Sequence, residues 1–175
     1  MNKTKLIVNL FGGPGCGKST SAAYIFSILK MKGYDVEYSS EFAKDKVWEG
    51  NMDVFNCQFY VTGFQAWRVR RLWNKVEIII VDSPIALGAV YADNKDLERC
   101  CITESNKYNE CNFNVFMTRP KDFQKNGRKH TEDESKKLDK KIKTFLDYYN
   151  MEYIECQSDK NELDKLISII EEKIK

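Results

Sequence analysis

The sequence predicts an α/β fold, a three-layer sandwich built on a five-stranded parallel sheet. Two observations carry this. Short apolar runs rich in branched residues alternate with longer stretches whose apolar residues recur at helical spacing. Strands separated in this way by helices pair in parallel through right-handed crossovers, which cover both faces of the sheet. A chain of 175 residues is enough for one core, so a single domain over 1–175 is expected.

The elements follow in order. Lys5–Phe11 reads as a buried strand. Lys18–Lys32 places Ala22, Ile25, Phe26 and Leu29 on one helix face, and Gly33 stands where a C-cap glycine belongs. Tyr34–Ser39 alternates and reads as the second strand. Met52–Trp73 contains no proline and carries a long stripe of Phe55, Phe59, Phe64, Trp67, Val69 and Leu72, so one long helix with mostly buried aromatics is expected. Glu77–Val81 is a fully buried strand. Pro84–Tyr91 and Lys95–Glu110 are expected helices, and Asn112–Met117 is the fourth strand. Thr131–Tyr149 is a charged amphipathic helix, Glu152–Cys156 the fifth strand and Ser158–Lys175 a closing helix. Between them, Arg119–Glu134 reads as a long polar loop, a length that is uncommon without a function.

Composition narrows the function classes. Apolar residues make up 42% and charged residues 31%, the balance of a globular protein. No apolar run approaches the roughly 20 residues of a membrane span. The opening MNKTKLIVNLFGG runs straight into glycines and is not a signal peptide, so a cytoplasmic location is expected. Net charge is +2, too even to predict nucleic-acid binding by itself. The six cysteines form no C-x-x-C pair and the only histidine is His130, which argues for reduced thiols rather than a zinc site.

The motif with specific chemistry is Gly12-Gly13-Pro14-Gly15-Cys16-Gly17-Lys18-Ser19, followed by Thr20. It fits G-x-x-x-x-G-K-[ST] between a strand and a helix. The glycines let backbone N–H groups surround a phosphate, and the helix beginning near Lys18 adds further N–H groups and its positive dipole end. Lys18 supplies a cation to the β- and γ-phosphates, and Ser19 offers a hydroxyl to Mg²⁺. ATP and Mg²⁺ are therefore the expected cofactors. Cys16 occupies a free position of the motif.

Three further groups are candidates. Asp82 ends the buried run EIIIVD, where ligands of parallel sheets gather, and fits either a metal or base role or a cap for the Pro84 helix. Glu41 follows the strand DVEYSS and fits two roles, the base for a hydroxyl acceptor or a first-turn glutamate beside a Ser39 or Ser40 cap. The basic loop around 119–134 reads as a lid, with Arg119 and Arg128 as phosphate-binding guanidiniums. Phe42, Trp48, Gln65 and Arg68 are the candidate acceptor contacts, with Trp48 in a glycine-flanked loop. Gln58 and Gln65 are seven apart and can share one face of their helix.

The ordered set GGPGCGKST, SSEFAKDKVWEG, VDSP and NGRKHTEDE resembles a small P-loop kinase. The resemblance to the nucleoside and nucleotide kinase superfamily covers most of the chain. More narrowly, it is similar to short kinase-like P-loop proteins of tailed bacteriophages, among them 5-hydroxymethyldeoxyuridine DNA kinases. It implies a P-loop NTPase of the nucleotide-kinase type, ATP–Mg²⁺ on Lys18 and Ser19, Asp82 as metal ligand or base, Glu41 facing the acceptor and Arg128 in the lid. The chain departs from deoxynucleoside kinases in one respect. It has Asp82-Ser83-Pro84 where they often carry an acidic–arginine pair, so their acceptor contacts do not transfer.

The resulting expectation is an ATP-dependent phosphotransferase acting on a nucleoside-type hydroxyl, in its sharpest form 5-hydroxymethyluracil in DNA. The alternatives are a kinase of a free nucleoside, nucleotide or nicotinamide riboside, and an ATP-binding switch acting on a partner. No membrane partner is expected, and the chain reads as a monomer or homodimer. A phage-encoded version would work in the host cytoplasm.

Overall fold

The computed structural model describes residues 4–119 and 131–175. It is an α/β fold with a five-stranded, all-parallel sheet. The strands are β1 (Leu6–Phe11), β2 (Val36–Ser39), β3 (Ile78–Val81), β4 (Asn112–Thr118) and β5 (Tyr153–Gln157), in the order β2-β3-β1-β4-β5. The helices are α1 (Lys18–Met31), α2 (Phe42–Trp48), α3 (Gln58–Arg70), α4 (Leu87–Val90), α5 (Lys95–Asn106), α6 (Glu132–Tyr148) and α7 (Lys160–Lys173).

The period of two along the central strand sorts the layers. Leu6, Val8 and Leu10 of β1 join Ala22, Ile25 and Leu29 of α1 and Leu163, Leu166 and Ile170 of α7 in one core. Ile7 and Phe11 point the other way. Ile7 packs with Val69, Ile79 and Tyr108, and Phe11 with Leu87, Val90, Ile142 and Leu146. A strand apolar on both faces must be covered twice, which is why the sheet carries helices on both sides.

Gly33 takes φ 90° just past α1, the left-handed conformation that a C-cap glycine supplies without a Cβ clash. Thr131 opens α6 with a capping box. Its hydroxyl accepts from Glu134 N–H, and the Glu134 carboxylate accepts from Thr131 N–H at 2.7 Å.

Three sequence expectations need correction. The stretch Met52–Trp73 is not one helix. A 3-10 turn over Met52–Asn56 is followed by Cys57 at φ −126°, ψ 81°, outside the helical region, and α3 starts only at Gln58. No glycine or proline marks that break. Second, the aromatics of α3 are not its buried face. Val61, Thr62, Gln65 and Val69 face inward, whereas Phe59 and Trp67 are 66% and 58% exposed. Third, Trp48 is not in a loop but ends α2, where it is 71% exposed. Smaller differences lie at element ends. The expected Pro84 helix is regular only over Leu87–Val90, and the Lys95 helix stops at Asn106 before a short 3-10 turn, Asn109–Cys111.

Candidate active site

Strands β2, β3 and β1 are neighbours, and each delivers a candidate just past its carboxyl end. After Phe11 comes the glycine loop, after Ser39 comes Glu41, and after Val81 comes Asp82. Parallel pairing brings all three to one edge, which sequence order alone does not.

The loop over residues 12–17 joins β1 to α1. Gly12, Gly15 and Gly17 all have positive φ. At Gly17 the close approach is also steric, because a Cβ there would lie 2.4 Å from Ser158 Cβ. Ser158 is held in place by Ser21, whose hydroxyl lies 2.9 Å from its own. Cys16 is fully buried in the core beneath the loop. Thr20 is exposed and Ser19 partly so.

Lys18 folds back on the loop. Its ammonium donates to the carbonyls of Gly12 at 2.7 Å and Gly13 at 3.2 Å. Burial opposes its charge, but Cys16, Glu41, Asp82 and Tyr91 outweigh that penalty and hold the ammonium group above its ordinary value.

Asp82 is 1% exposed. Its Oδ2 accepts from the Tyr38 hydroxyl at 3.0 Å, while its Oδ1 is buried with no hydrogen-bond partner among the described residues. Desolvation, followed by the negative charge of Asp82, pushes the Tyr38 phenol far up. The N-cap of α4 is Ala86, so Asp82 does not cap that helix. A buried carboxylate oxygen left bare carries a desolvation cost, and a cation or a donor on a ligand relieves it.

Glu41 is the N-cap residue of α2, yet its side chain makes no capping bond. Its carboxyl group is partly buried and shifted upward, first by desolvation and then by Asp82, against the opposing pull of Lys18 and Lys44. Lys44 also donates to Ser19 Oγ at 3.3 Å.

The expected acceptor contacts separate. Gln65 is buried and committed, accepting from Phe42 N–H at 3.0 Å and donating to Ser40 O at 3.3 Å. Arg68 is tied to Asp45 at 2.5 Å and to the Ser40 hydroxyl at 2.6 Å. Phe42 is buried and stacks on Phe64 with centroids 4.3 Å apart. Arg119 leaves β4 and reaches the glycine loop, donating to Pro14 O at 2.8 Å. Arg128, His130 and most of the expected lid lie outside the described residues.

Sequence reasoning missed Tyr38, Lys44, Tyr91 and Asp139. Tyr91 follows α4, and desolvation raises its phenol to about 12, with Lys18 and Glu41 nearby. Tyr38 lies in β2, and only the pairing of β2 with β3 sets it beside Asp82. Tyr91 and Asp139 carry no local signal, since only tertiary packing brings them to the loop. Beside the loop, a cleft of about 440 Å³ at the carboxyl ends of β4 and β5 is lined by Thr118, Gln157 and Asp159.

Comparison with known proteins extends this picture. A family model described as "AAA domain" matches residues 7–162. No curated protein sequence matches. Kti12 from Chaetomium thermophilum in complex with ADP-AlF3 is 11% identical, with a TM-score of 0.60 over 97% of this chain and 99% of that one. The deoxyadenosine kinase from M. mycoides with bound dATP is 17% identical, with a TM-score of 0.58 over 95% and 99%. The Mycobacterium tuberculosis APS kinase CysC in complex with AMPPNP and APS is 12% identical, with a TM-score of 0.53 over 99% of each chain. At these identities the likeness shows the fold. Among the described residues, no helix is long and apolar enough to cross a membrane.

Proposed function

The chain belongs to the AAA-domain family, and from that premise we propose that it is a P-loop phosphotransferase moving the γ-phosphate of ATP to a small nucleoside-type hydroxyl. The observation that carries this reading is the convergence of the loop, Glu41 and Asp82 at one sheet edge, with Asp82 Oδ1 buried and without a partner among the described residues. Two fold neighbours, a deoxyadenosine kinase and an APS kinase, also favour the kinase reading.

In this proposal the backbone N–H groups of residues 15–19 hold the phosphates. Lys18 exchanges its Gly12 and Gly13 carbonyls for phosphate oxygens. Ser19 and Asp82 fit Mg²⁺, because both offer hard oxygen donors and one Asp82 oxygen lacks a partner among the described residues. When bound, that ion neutralises phosphate charge. Glu41 accepts the acceptor's hydroxyl proton, and its raised pKa makes it a better base than an ordinary glutamate. The Phe42–Phe64 stack next to Glu41 gives an aromatic acceptor a neighbouring apolar wall.

Arg68, an expected acceptor contact, is instead paired with Asp45. The test is transfer of ³²P from γ-labelled ATP to free nucleosides, nucleoside monophosphates, and single-stranded and duplex DNA with and without 5-hydroxymethyl groups. Label in a free nucleoside or nucleotide supports the reading. Label in DNA alone moves the hydroxyl into a polymer. ATP hydrolysis with no labelled acceptor overturns the kinase.

A further inference from the structure

The phosphate loop is gripped from the side by two residues that are close in space and twenty apart in sequence. Asp139 on α6 accepts the Gly13 N–H through Oδ1 at 2.7 Å. Its Oδ2 receives Arg119 through Nη2 at 2.7 Å and Nε at 3.1 Å. The third arm of the same guanidinium, Nη1, donates to Pro14 O at 2.8 Å. The result is a closed ring across the Gly13–Pro14 dipeptide: Gly13 N–H to Asp139, Asp139 to Arg119, and Arg119 back to the Pro14 carbonyl. Both side chains are largely buried, at 10% and 18% exposure for Arg119 and Asp139.

The fit is tight as well as polar. A Cβ on Gly13 would lie 2.7 Å from Asp139 Oδ1 and 2.9 Å from the Ser135 carbonyl, so α6 presses directly against the loop. A charge-assisted fork of this kind fixes geometry as well as adding energy. The next contact along the loop is Lys18, whose ammonium holds the Gly12 and Gly13 carbonyls. The clamp and the phosphate-binding lysine therefore act on the same short stretch of backbone.

We propose that Asp139 is a positioning residue for the nucleotide site, which with Arg119 forms a clamp that fixes the Gly13–Pro14 unit of the phosphate loop. The proposal rests on the reading of this loop as a nucleotide site. In it, Arg119 serves the loop backbone rather than the phosphates. A preformed loop loses less conformational freedom when phosphate binds, so loosening it lowers affinity without removing any phosphate contact. The two residues share one ring, so losing either opens it and losing both adds little more.

The experiment measures ADP affinity by calorimetry, and the ATP KM and kcat of transfer, for wild type, Asp139→Ala, Asp139→Asn, Arg119→Ala and the double alanine variant. Asp139→Asn keeps an acceptor for Gly13 N–H but sets an amide N–H₂ against the Arg119 donors in place of the carboxylate charge, and its near-identical shape guards against a folding failure. Removing a charge-assisted contact predicts about tenfold weaker ADP binding in each alanine variant, and a comparable loss in Asp139→Asn because its amide cannot accept from Arg119 while holding Gly13 N–H. KM should rise more than kcat falls. The double variant should bind about as weakly as either single one. ADP affinity within twofold of wild type in folded Asp139→Ala overturns the clamp while leaving the nucleotide site intact. Tighter ADP binding in that variant also overturns it, since Asp139 would then compete with phosphate. Multiplying losses in the double variant overturn the shared ring. Wild type that binds no ADP overturns the nucleotide site and the clamp together.

Discussion

Lys18 Nζ donates to the Gly12 carbonyl at 2.7 Å, so the loop's own cation closes the loop on itself. Phosphate oxygens are the natural replacement for those carbonyls, because they offer the ammonium a full charge instead of a dipole. Lys18→Ala should lower transfer by about 10²-fold or more, the scale of one lost transition-state donor. Its thermal midpoint should stay near wild type, since the ammonium serves the loop rather than the apolar core. Wild-type turnover in the folded variant contradicts the assignment.

Glu41 and Asp82 should separate by assay. Glu41→Gln is expected to cut transfer by about 10²–10⁴-fold, as for loss of a general base, while ADP affinity is unchanged. Asp82→Asn is expected to raise the Mg²⁺ concentration needed for half-maximal activity. An unchanged Mg²⁺ titration in Asp82→Asn removes the carboxylate from the metal site.

The upward shift of Glu41 fixes the sign of the pH dependence. A base works ionised, and a raised pKa means that protonation begins at higher pH than the ordinary value of 4.5. The rate should therefore rise with pH along an acid limb displaced above that value. Rates of Glu41→Gln, measured across the same range, should lack the limb. A limb that persists in Glu41→Gln belongs to another group.

Gly17 combines two constraints that a pair of variants can separate. Gly17→Ala should destabilise the fold by about 2–4 kcal/mol, adding overpacking against Ser158 to the cost of a positive φ. At Gly50, also at positive φ, a Cβ meets nothing within 4 Å. Gly50→Ala should thus cost only the conformational part, about 1–2 kcal/mol. Equal losses in chemical denaturation would mean that Ser158 yields freely.

Much of this was legible in the sequence, and the parts that were not have a common cause. The strand runs were readable because strands buried on both faces leave continuous apolar segments, as in Glu77–Val81. The glycine loop was readable because its chemistry needs fixed residue types at fixed spacing. The α3 aromatics misled because Phe59, Phe64 and Trp67 recur at helical period on the solvent side, while the inward face uses the smaller and polar Val61, Thr62 and Gln65. Period reveals a face but not which way it points. Asp139 was one acid in a charged helix, and only the packing of α6 on Gly13 distinguishes it.

The most direct test of the central claim is stoichiometric. ADP formed and acceptor phosphorylated are counted together in the presence of the best nucleoside-type acceptor, with Lys18→Ala as the blank. The phosphotransferase predicts one phosphorylated hydroxyl per ADP, and little ADP when acceptor is withheld. ADP accumulating at the same rate with and without acceptor, and no phosphorylated product, would contradict it.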